Sequence, residues 1–114
     1  MLFSIFSDFK RLPKQLIHGD LNEMNALFKD GENVGIIDFA LSYDPAVYDL
    51  GEFSYWIAFP WGTKKFNNGR FKLIVDTFQK NISLSALEIK LLPYMVLRRS
   101  MMDIMLTLQY YWLN

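Results

Sequence analysis

The 114-residue sequence contains no cysteine, which excludes disulfide bonds and thiolate metal sites and permits a reducing cytoplasm. It also has no excess of either charge, because 12 basic side chains balance 12 acidic ones. A chain without net positive charge lacks the broad electrostatic field that attracts nucleic acids or anionic membranes. We therefore expect no nucleic-acid partner, no membrane partner and a cytoplasmic location.

Long apolar runs are missing as well. Stretches such as LLPYMVL fall far short of the roughly 20 residues that cross a bilayer, and the opening MLFSIFSDFKRL lacks the basic start of a signal peptide. Hydrophobic residues nevertheless make up 52% of the chain, which is enough to build a core. We expect one globular unit over residues 1–114.

Acidic residues are concentrated in one third of the chain. Residues 18–53 hold eight acids and a single base, Lys29, whereas the remainder holds eleven bases and four acids. Such a concentration of carboxylates suits a metal ion or a cationic substrate, and a solvated acidic surface is the alternative. Glu23 and Glu52 are candidates for binding a cation. Arg98 and Arg99 could bind an anionic group, although solvated surface is the more common role of paired basic residues.

The apolar pattern predicts a helix tail in residues 1–12, a second helix from Ala46, and a third over 70–81. A fourth should begin at Ser85, because Ser85 and Glu88 have capping-box spacing, and should run to Trp112 with a kink or early turn at Pro93. Pro60, Gly62 and the NNG at 67–69 should interrupt the helices. Large side chains on these helices are expected mainly in the core: Met95, Met101, Met102, Met105, Trp56, Trp61, Tyr110, Tyr111 and Trp112.

A β-hairpin is predicted where NALF and NVGIID flank KDGEN, since Asp-Gly between apolar runs favours a tight turn. If the turn is centred on Gly31 and Glu32, Asn25 lies opposite Asp38. Cα atoms of facing residues are then about 4.5–5.5 Å apart. A carboxamide oxygen and a carboxylate at that spacing can both reach a hard cation such as Mg²⁺, and Asp20 precedes them by five residues.

Phosphoryl transfer needs this kind of set: one Asp to orient the attacking hydroxyl, and an Asn and a second Asp to hold magnesium on the nucleotide phosphates. In this chain HGDLNEMN is followed by IIDF, which is the order of the catalytic and metal-binding loops in kinase-like folds. A metal-dependent phosphohydrolase built on the same acids is a further hypothesis.

LIHGDLNEMNALF, GIIDF and DPAVYDL together resemble the aminoglycoside phosphotransferase and choline kinase-like superfamily, which includes type II homoserine kinases. The resemblance is specific over residues 12–58. It implies Asp20 as catalytic base, Asn25 and Asp38 as ligands of Mg²⁺, ATP as co-substrate and Asp49 as a brace of the catalytic loop. We interpret His18 as a structural support of that loop.

The resemblance implies an α+β, mainly helical fold: a protein kinase-like C-terminal lobe whose short β-hairpin carries the catalytic and metal-binding loops. Asn22 stands where many members have a second His, and Ala40 where Gly is frequent. No G-x-G-x-x-G occurs among the six glycines, so the N-terminal nucleotide-gripping lobe is expected to be absent.

The implied activity is ATP-dependent phosphorylation of a small-molecule hydroxyl, with an aminoglycoside, a choline-like alcohol or an amino-acid alcohol as acceptor. The competing hypothesis is a non-catalytic remnant or binding module derived from such a kinase.

Overall fold

The computed structural model describes residues 7–59 and 65–113, without the side chains of residues 103, 107, 112 and 113. The predictions for residues 1–6, for Pro60 and Gly62 as helix breakers, and for the side chains of Trp61 and Trp112 therefore lie outside the described part. Residues 7–10 are helical, in agreement with a helix that ends before Pro13.

Four short strands form two separate antiparallel sheets of two strands each. In the first sheet β1 (Gln15–Ile17) pairs with β4 (Ser42–Asp44), and in the second β2 (Ala26–Lys29) pairs with β3 (Glu32–Ile36). The sheet of β1 and β4 was not predicted, because three residues are too few to show the alternation of apolar and polar side chains that identifies a strand. This sheet brings the two ends of the loop region together.

The predicted hairpin is present, but its register differs from the expectation. The turn consists of Asp30 and Gly31, whose φ angles of 53° and 81° match the tight turn that Asp-Gly favours. Lys29 pairs with Glu32, and a bulge follows between Leu27 and Phe28. The two-residue turn lies one position earlier than expected, so the prediction that Asn25 faces Asp38 was wrong.

Three helices follow: α1 (Ala46–Ala58), α2 (Asn68–Gln79) and α3 (Ala86–Leu108), the last continuing as a π-helical turn over Gln109–Leu113. The capping box is confirmed, since the Ser85 hydroxyl accepts a hydrogen bond from the Glu88 amide and the Glu88 carboxylate accepts one from the Ser85 amide. Asn67 begins α2 by accepting a bond from the Arg70 amide, so NNG starts a helix as well as interrupting one. Pro93 lies inside α3.

The core lies where α1 packs against α3. Its buried side chains come from both helices and from the segments before them: Leu12, Val47, Leu50, Leu84, Leu91, Leu92 and Met95. The two helices approach so closely that a Cβ on Gly51 would lie 2.4 Å from the Met95 Cβ. Glycine at this position therefore permits the crossing.

The far end of α3 carries large exposed side chains. Met101 and Met105 are exposed, as are Tyr110 and Tyr111, which are 72% and 73% accessible. The expectation that they belong to the core was wrong, because the chain places no element against this end of the helix among the described residues. Within residues 7–59 and 65–113, no helix combines the length and apolarity needed to span a membrane.

Candidate active site

Asp49, in the first turn of α1, anchors the loop that carries Asp20. Its two carboxylate oxygens accept hydrogen bonds from successive backbone amides, that of His18 at 2.8 Å and that of Gly19 at 3.0 Å. Bonds to a carboxylate are stronger than those between neutral groups, and a negative charge is favoured at a helix N-terminus. The loop therefore starts from a fixed point on α1, which is the arrangement that the expected bracing role requires.

His18 joins the Asp20 loop to the segment that carries Asp38. Its Nδ1 accepts a bond from the Asp20 amide at 3.1 Å, so the ring proton is on Nε2, which donates to the Ile37 carbonyl at 2.8 Å. The ring also packs on Phe39, with 4.4 Å between centroids, and the His18 carbonyl accepts from the Ala40 amide at 2.9 Å. Both ring nitrogens are therefore engaged by backbone groups, one in the Asp20 loop and one in the segment that carries Asp38.

Gly19 makes the same junction sterically demanding. Its φ is +89°, and a Cβ at this position would lie 2.0 Å from the Ala40 carbonyl oxygen. Both the left-handed backbone and the missing side chain are needed for the two segments to meet. The close approach of residues 19 and 40 therefore depends on glycine.

Asn25 and Asn22 hold Asp20. The Asn25 amide donates to the Asp20 carbonyl at 2.8 Å and lies 3.3 Å from its Oδ2, while the Asn22 amide lies 3.3 Å from Oδ1. Asn22 also caps the 3-10 turn Glu23–Asn25 by accepting from the Met24 amide. Here the residue that replaces the second His of the resembling family supports both the Asp20 carboxylate and the turn that presents Asn25.

Asp38 follows the end of β3 and has a left-handed backbone, with φ of 57°. This conformation costs a residue other than glycine about 1–3 kcal/mol and persists where the surroundings impose it. His18 contacts the residues on both sides of Asp38: its ring donates to the Ile37 carbonyl and packs on Phe39, and its carbonyl accepts from the Ala40 amide. The Ile37 amide also donates a hydrogen bond to the Asn25 carbonyl at 2.9 Å. Asp38 itself is exposed, on a segment fixed on both sides.

The structure thus brings Asp20 and Asn25 into direct contact. The segment that carries Asp38 is tied to Asp20 through His18 and to Asn25 through the Ile37 amide. The donor set suits a hard divalent cation, because a carboxamide oxygen and a carboxylate are oxygen ligands. The Asn25 nitrogen is already engaged by Asp20, which leaves its oxygen as the ligand atom. Among the described residues no group of three or more His, Cys, Asp or Glu side chains could hold a metal ion.

Glu52 and Arg99 form an ion pair that the sequence did not predict, although Glu52 was a candidate for binding a cation and Arg99 for binding an anionic group. Glu52 lies one turn after Asp49 on α1, and its Oε1 is 3.4 Å from the Nε of Arg99 on α3. Burial raises the pKa of Glu52 to about 7; the charge of Arg99 opposes this rise, and the charges of Asp20 and Asp49 add to it. The expectation of a solvated Arg99 was wrong, since its side chain is only 15% exposed and stacks over Trp56 at 5.1 Å. The spacing Asp49-x-x-Glu52 on one helix face was the available signal.

A mainly helical chain in which an Asp and an Asn share one loop, with a second Asp on the adjoining segment, has the arrangement that the family resemblance implies. Residues 4–72 match the phosphotransferase enzyme family, the aminoglycoside phosphotransferase superfamily. The chain belongs to this family.

A homoserine kinase of Rhodospirillum rubrum is 34% identical over 104 residues. The match covers 90% of this chain and 32% of that enzyme, so the chain spans about a third of the relative's length. No solved structure matches the chain significantly.

Proposed function

We propose that this chain is the C-terminal, kinase-like part of a phosphotransferase that moves the terminal phosphoryl group of ATP to the hydroxyl of a small molecule, with Mg²⁺ as cofactor. The observation that carries the proposal is the contact of Asn25 with Asp20, in a loop that His18 fixes to both sides of Asp38. Family membership supports the reaction class, and the residue roles below are proposals.

Asp20 is the proposed catalytic base. Its carboxylate is held by the amides of Asn22 and Asn25, and its backbone amide by His18, so its orientation is set before an acceptor arrives. In phosphoryl transfer most of the rate enhancement comes from positioning and electrostatics, and the base chiefly orients the attacking hydroxyl and takes its proton. A carboxylate fixed in this way meets that requirement.

Asn25 and Asp38 are the proposed ligands of Mg²⁺, through the carboxamide oxygen and the carboxylate. When bound, the ion would neutralise charge on the phosphate oxygens of the nucleotide. The strained backbone of Asp38 and its fixed neighbours keep this carboxylate at the end of β3. Asn25 is buried and already oriented by Asp20, so neither ligand has to be ordered extensively on binding.

The acceptor is proposed to be a small-molecule alcohol, with an aminoglycoside, a choline-like alcohol and an amino-acid alcohol as the candidates. Asp20, Asp49 and Glu52 make the surroundings of the loop acidic, which favours a cationic amine. A cleft of about 340 Å³ lies beside the loop between α1 and α2, with Leu21, Leu50 and Phe53 in its lining. This apolar wall would suit the carbon skeleton of a small acceptor.

The test is ATP consumption by the protein that the whole reading frame encodes, screened against homoserine, choline and aminoglycosides. We expect turnover with one acceptor class, and a loss of about 10²–10⁴-fold in kcat for Asp20→Ala. Glu32→Gln, an exposed acid on the hairpin, is the matched control and should retain wild-type turnover. An Asp20→Ala variant with most of its turnover would refute the assignment of the base.

Product analysis distinguishes the competing functions. Phosphorylated acceptor supports the kinase, whereas inorganic phosphate released without an acceptor would identify a phosphohydrolase and contradict the proposal. If Mg²⁺ and nucleotide bind while no acceptor is modified and no phosphate is released, the non-catalytic binding module is the better account.

A further inference from the structure

A small polar cavity of about 120 Å³ lies beside the loop of the proposed base, and Gly19, the residue before Asp20, forms part of its wall. Its charged lining residues come from three elements: Asp44 of β4, Asp49 and Glu52 of α1, and Arg98 of α3. The sequence suggested Glu52 for binding a cation and Arg98 for binding an anion. Both candidates therefore border the same cavity.

Arg98 brings a positive charge to the wall of this cavity. Its guanidinium lies over the ring of Tyr48, 4.8 Å from the centroid, and Tyr48 also lines the cavity. Among the side chains that the structure describes, no carboxylate forms an ion pair with Arg98, whereas the adjacent Arg99 is paired with Glu52. A guanidinium held over an aromatic face keeps N–H donors available for a carboxylate. Arg98 is therefore placed to receive an anionic group.

The acidic side chains of the cavity differ in how far they are already engaged. Both oxygens of Asp49 accept hydrogen bonds from backbone amides of the loop, and Glu52 is paired with Arg99. Asp44 accepts a bond from the Ser42 hydroxyl, which uses one of the roughly four lone-pair positions of a carboxylate. An ammonium group with three donors would therefore find its ligand in Asp44, and the charges of the other acids would add to the attraction.

We infer that this cavity binds the ammonium and carboxylate groups of a hydroxyl-bearing amino acid, with Asp44 as the ligand of the ammonium group and Arg98 as the ligand of the carboxylate. The inference rests on the proposed function, because it selects one of the three acceptor classes named there. It makes Arg98 the residue that determines acceptor specificity.

Size and charge distinguish this acceptor from the other two classes. Sites for drug-sized ligands span about 300 Å³ or more. A cavity of about 120 Å³ therefore suits a compact molecule and not an aminoglycoside of several rings. A choline-like alcohol is compact, but it has no anionic group for Arg98. The apolar cleft beside Leu21 has no charged side chain in its lining, so it can contact a carbon skeleton but cannot recognise a zwitterion.

The test compares two acceptors of the whole-frame protein that differ by one carboxylate, L-homoserine and the same molecule without its carboxylate, 3-aminopropanol. The wild type should prefer homoserine in kcat/KM by at least about tenfold, because only homoserine offers a carboxylate to Arg98. A wild type that uses both acceptors equally would overturn the inference, and this readout needs no variant to fold.

Variants of Arg98 sharpen the comparison. Arg98→Gln should raise KM for homoserine by about 10–100-fold with little change in kcat, and should leave KM for 3-aminopropanol unchanged. Arg98→Lys keeps the charge without the planar fork and should recover part of the loss. Arg11→Gln replaces an exposed arginine outside the lining of the cavity and is the matched control, which should leave both KM values as in the wild type. Equal rises in both KM values for Arg98→Gln would overturn the inference, because they would show a structural role.

The failure of the inference and the failure of the proposed function give different results. Turnover with choline or an aminoglycoside but not with homoserine would overturn the inference and leave the proposed function in place. If no acceptor is phosphorylated, the proposed function fails, and calorimetric titration with L-homoserine tests the cavity by itself. Binding to the wild type that is at least about tenfold weaker in Arg98→Gln would support the inference, whereas equal or absent binding would overturn it.

Discussion

The loop region of residues 15–44 and the helical region of residues 46–108 are stabilised in different ways. In the helices, apolar side chains of α1 and α3 form the core. In the loop region most apolar side chains are exposed, and order comes from hydrogen bonds centred on His18 and Asp49. Hydrogen bonds to specific atoms fix geometry more sharply than apolar contact does. The site therefore depends on a few polar groups that the helices support from one side.

The largest expected effect is in the helical region. Leu91 is fully buried between α1 and α3, so Leu91→Ala should lower the free energy of unfolding by about 2–5 kcal/mol through lost burial and the cavity left behind. Urea unfolding monitored by circular dichroism measures the change. Leu97→Ala on the same helix is the control, because Leu97 is 54% exposed and its loss should cost less than about 1 kcal/mol. Equal effects at both positions would refute the assigned core.

A smaller and more local effect is expected at Asp49. Asp49→Asn keeps the shape but directs an amide at one of the two backbone donors, so the His18 and Gly19 amides should lose about 1.5–3 kcal/mol of protection. Hydrogen exchange at these two amides should accelerate at least about tenfold, while amides of α3 change little. Asp76→Asn, on the exposed face of α2, should change neither group. Uniform acceleration throughout the chain would mean that the two regions are not separable.

The pH dependence of stability tests the junction of the two regions. The pKa of Glu52 rises from 4.5 to about 7 on folding, so the folded chain binds this proton more tightly than the unfolded chain. The contribution of Glu52 to the free energy of unfolding is complete below about pH 4.5 and is lost as pH rises through about 7. We expect this contribution to stability to be about 1–2 kcal/mol after allowance for solvent screening. The difference between wild type and Glu52→Gln, measured by urea unfolding from pH 4 to 8, isolates the contribution of Glu52, and a difference independent of pH would contradict it.

The smallest effect concerns the exposed ion pair of Lys72 and Asp76 on α2. Because both side chains are largely in water, Lys72→Met should change the free energy of unfolding by less than about 0.5 kcal/mol. Thermal unfolding at low and high salt would measure it. A loss above about 1 kcal/mol would show that surface charge contributes to the helical region more than the core account allows.

Local signals in the sequence predicted much of this fold. Asp30-Gly31 encoded the turn, Ser85 and Glu88 encoded the start of α3, and Asp44-Pro45 preceded α1. Each of these depends on residues next to each other in the chain, so a sequence pattern is enough to identify it.

The features that were missed depend on distant residues. The pairing of β1 with β4 involves strands of three residues, and the bulge in the hairpin shifts the register by an amount that no local pattern specifies. The burial of Arg99 requires α1 and α3 to cross, and an Arg pair looks the same in sequence whether it is solvated or enclosed.

For the candidate site, the sequence supplied the residue set, and the structure supplied how it is held. Asp20, Asn25, Asp38, His18 and Asp49 were selected from motif spacing and from the family resemblance. That His18 contacts residues on both sides of Asp38 could not be read from spacing alone, because it depends on two segments meeting at Gly19. The roles in catalysis and metal binding stay predictions.

Paramagnetic relaxation by Mn²⁺, used in place of Mg²⁺ with ATP, tests the central claim most directly. If Asn25 and Asp38 bind one ion beside Asp20, the amide signals of residues 20–25 and 37–40 should broaden first, and Asp38→Asn should abolish the effect. The hairpin turn at Asp30 provides the internal control, since Asp30, like Asp38, is an exposed acid. Broadening centred on Asp30, or unchanged by Asp38→Asn, would contradict the account.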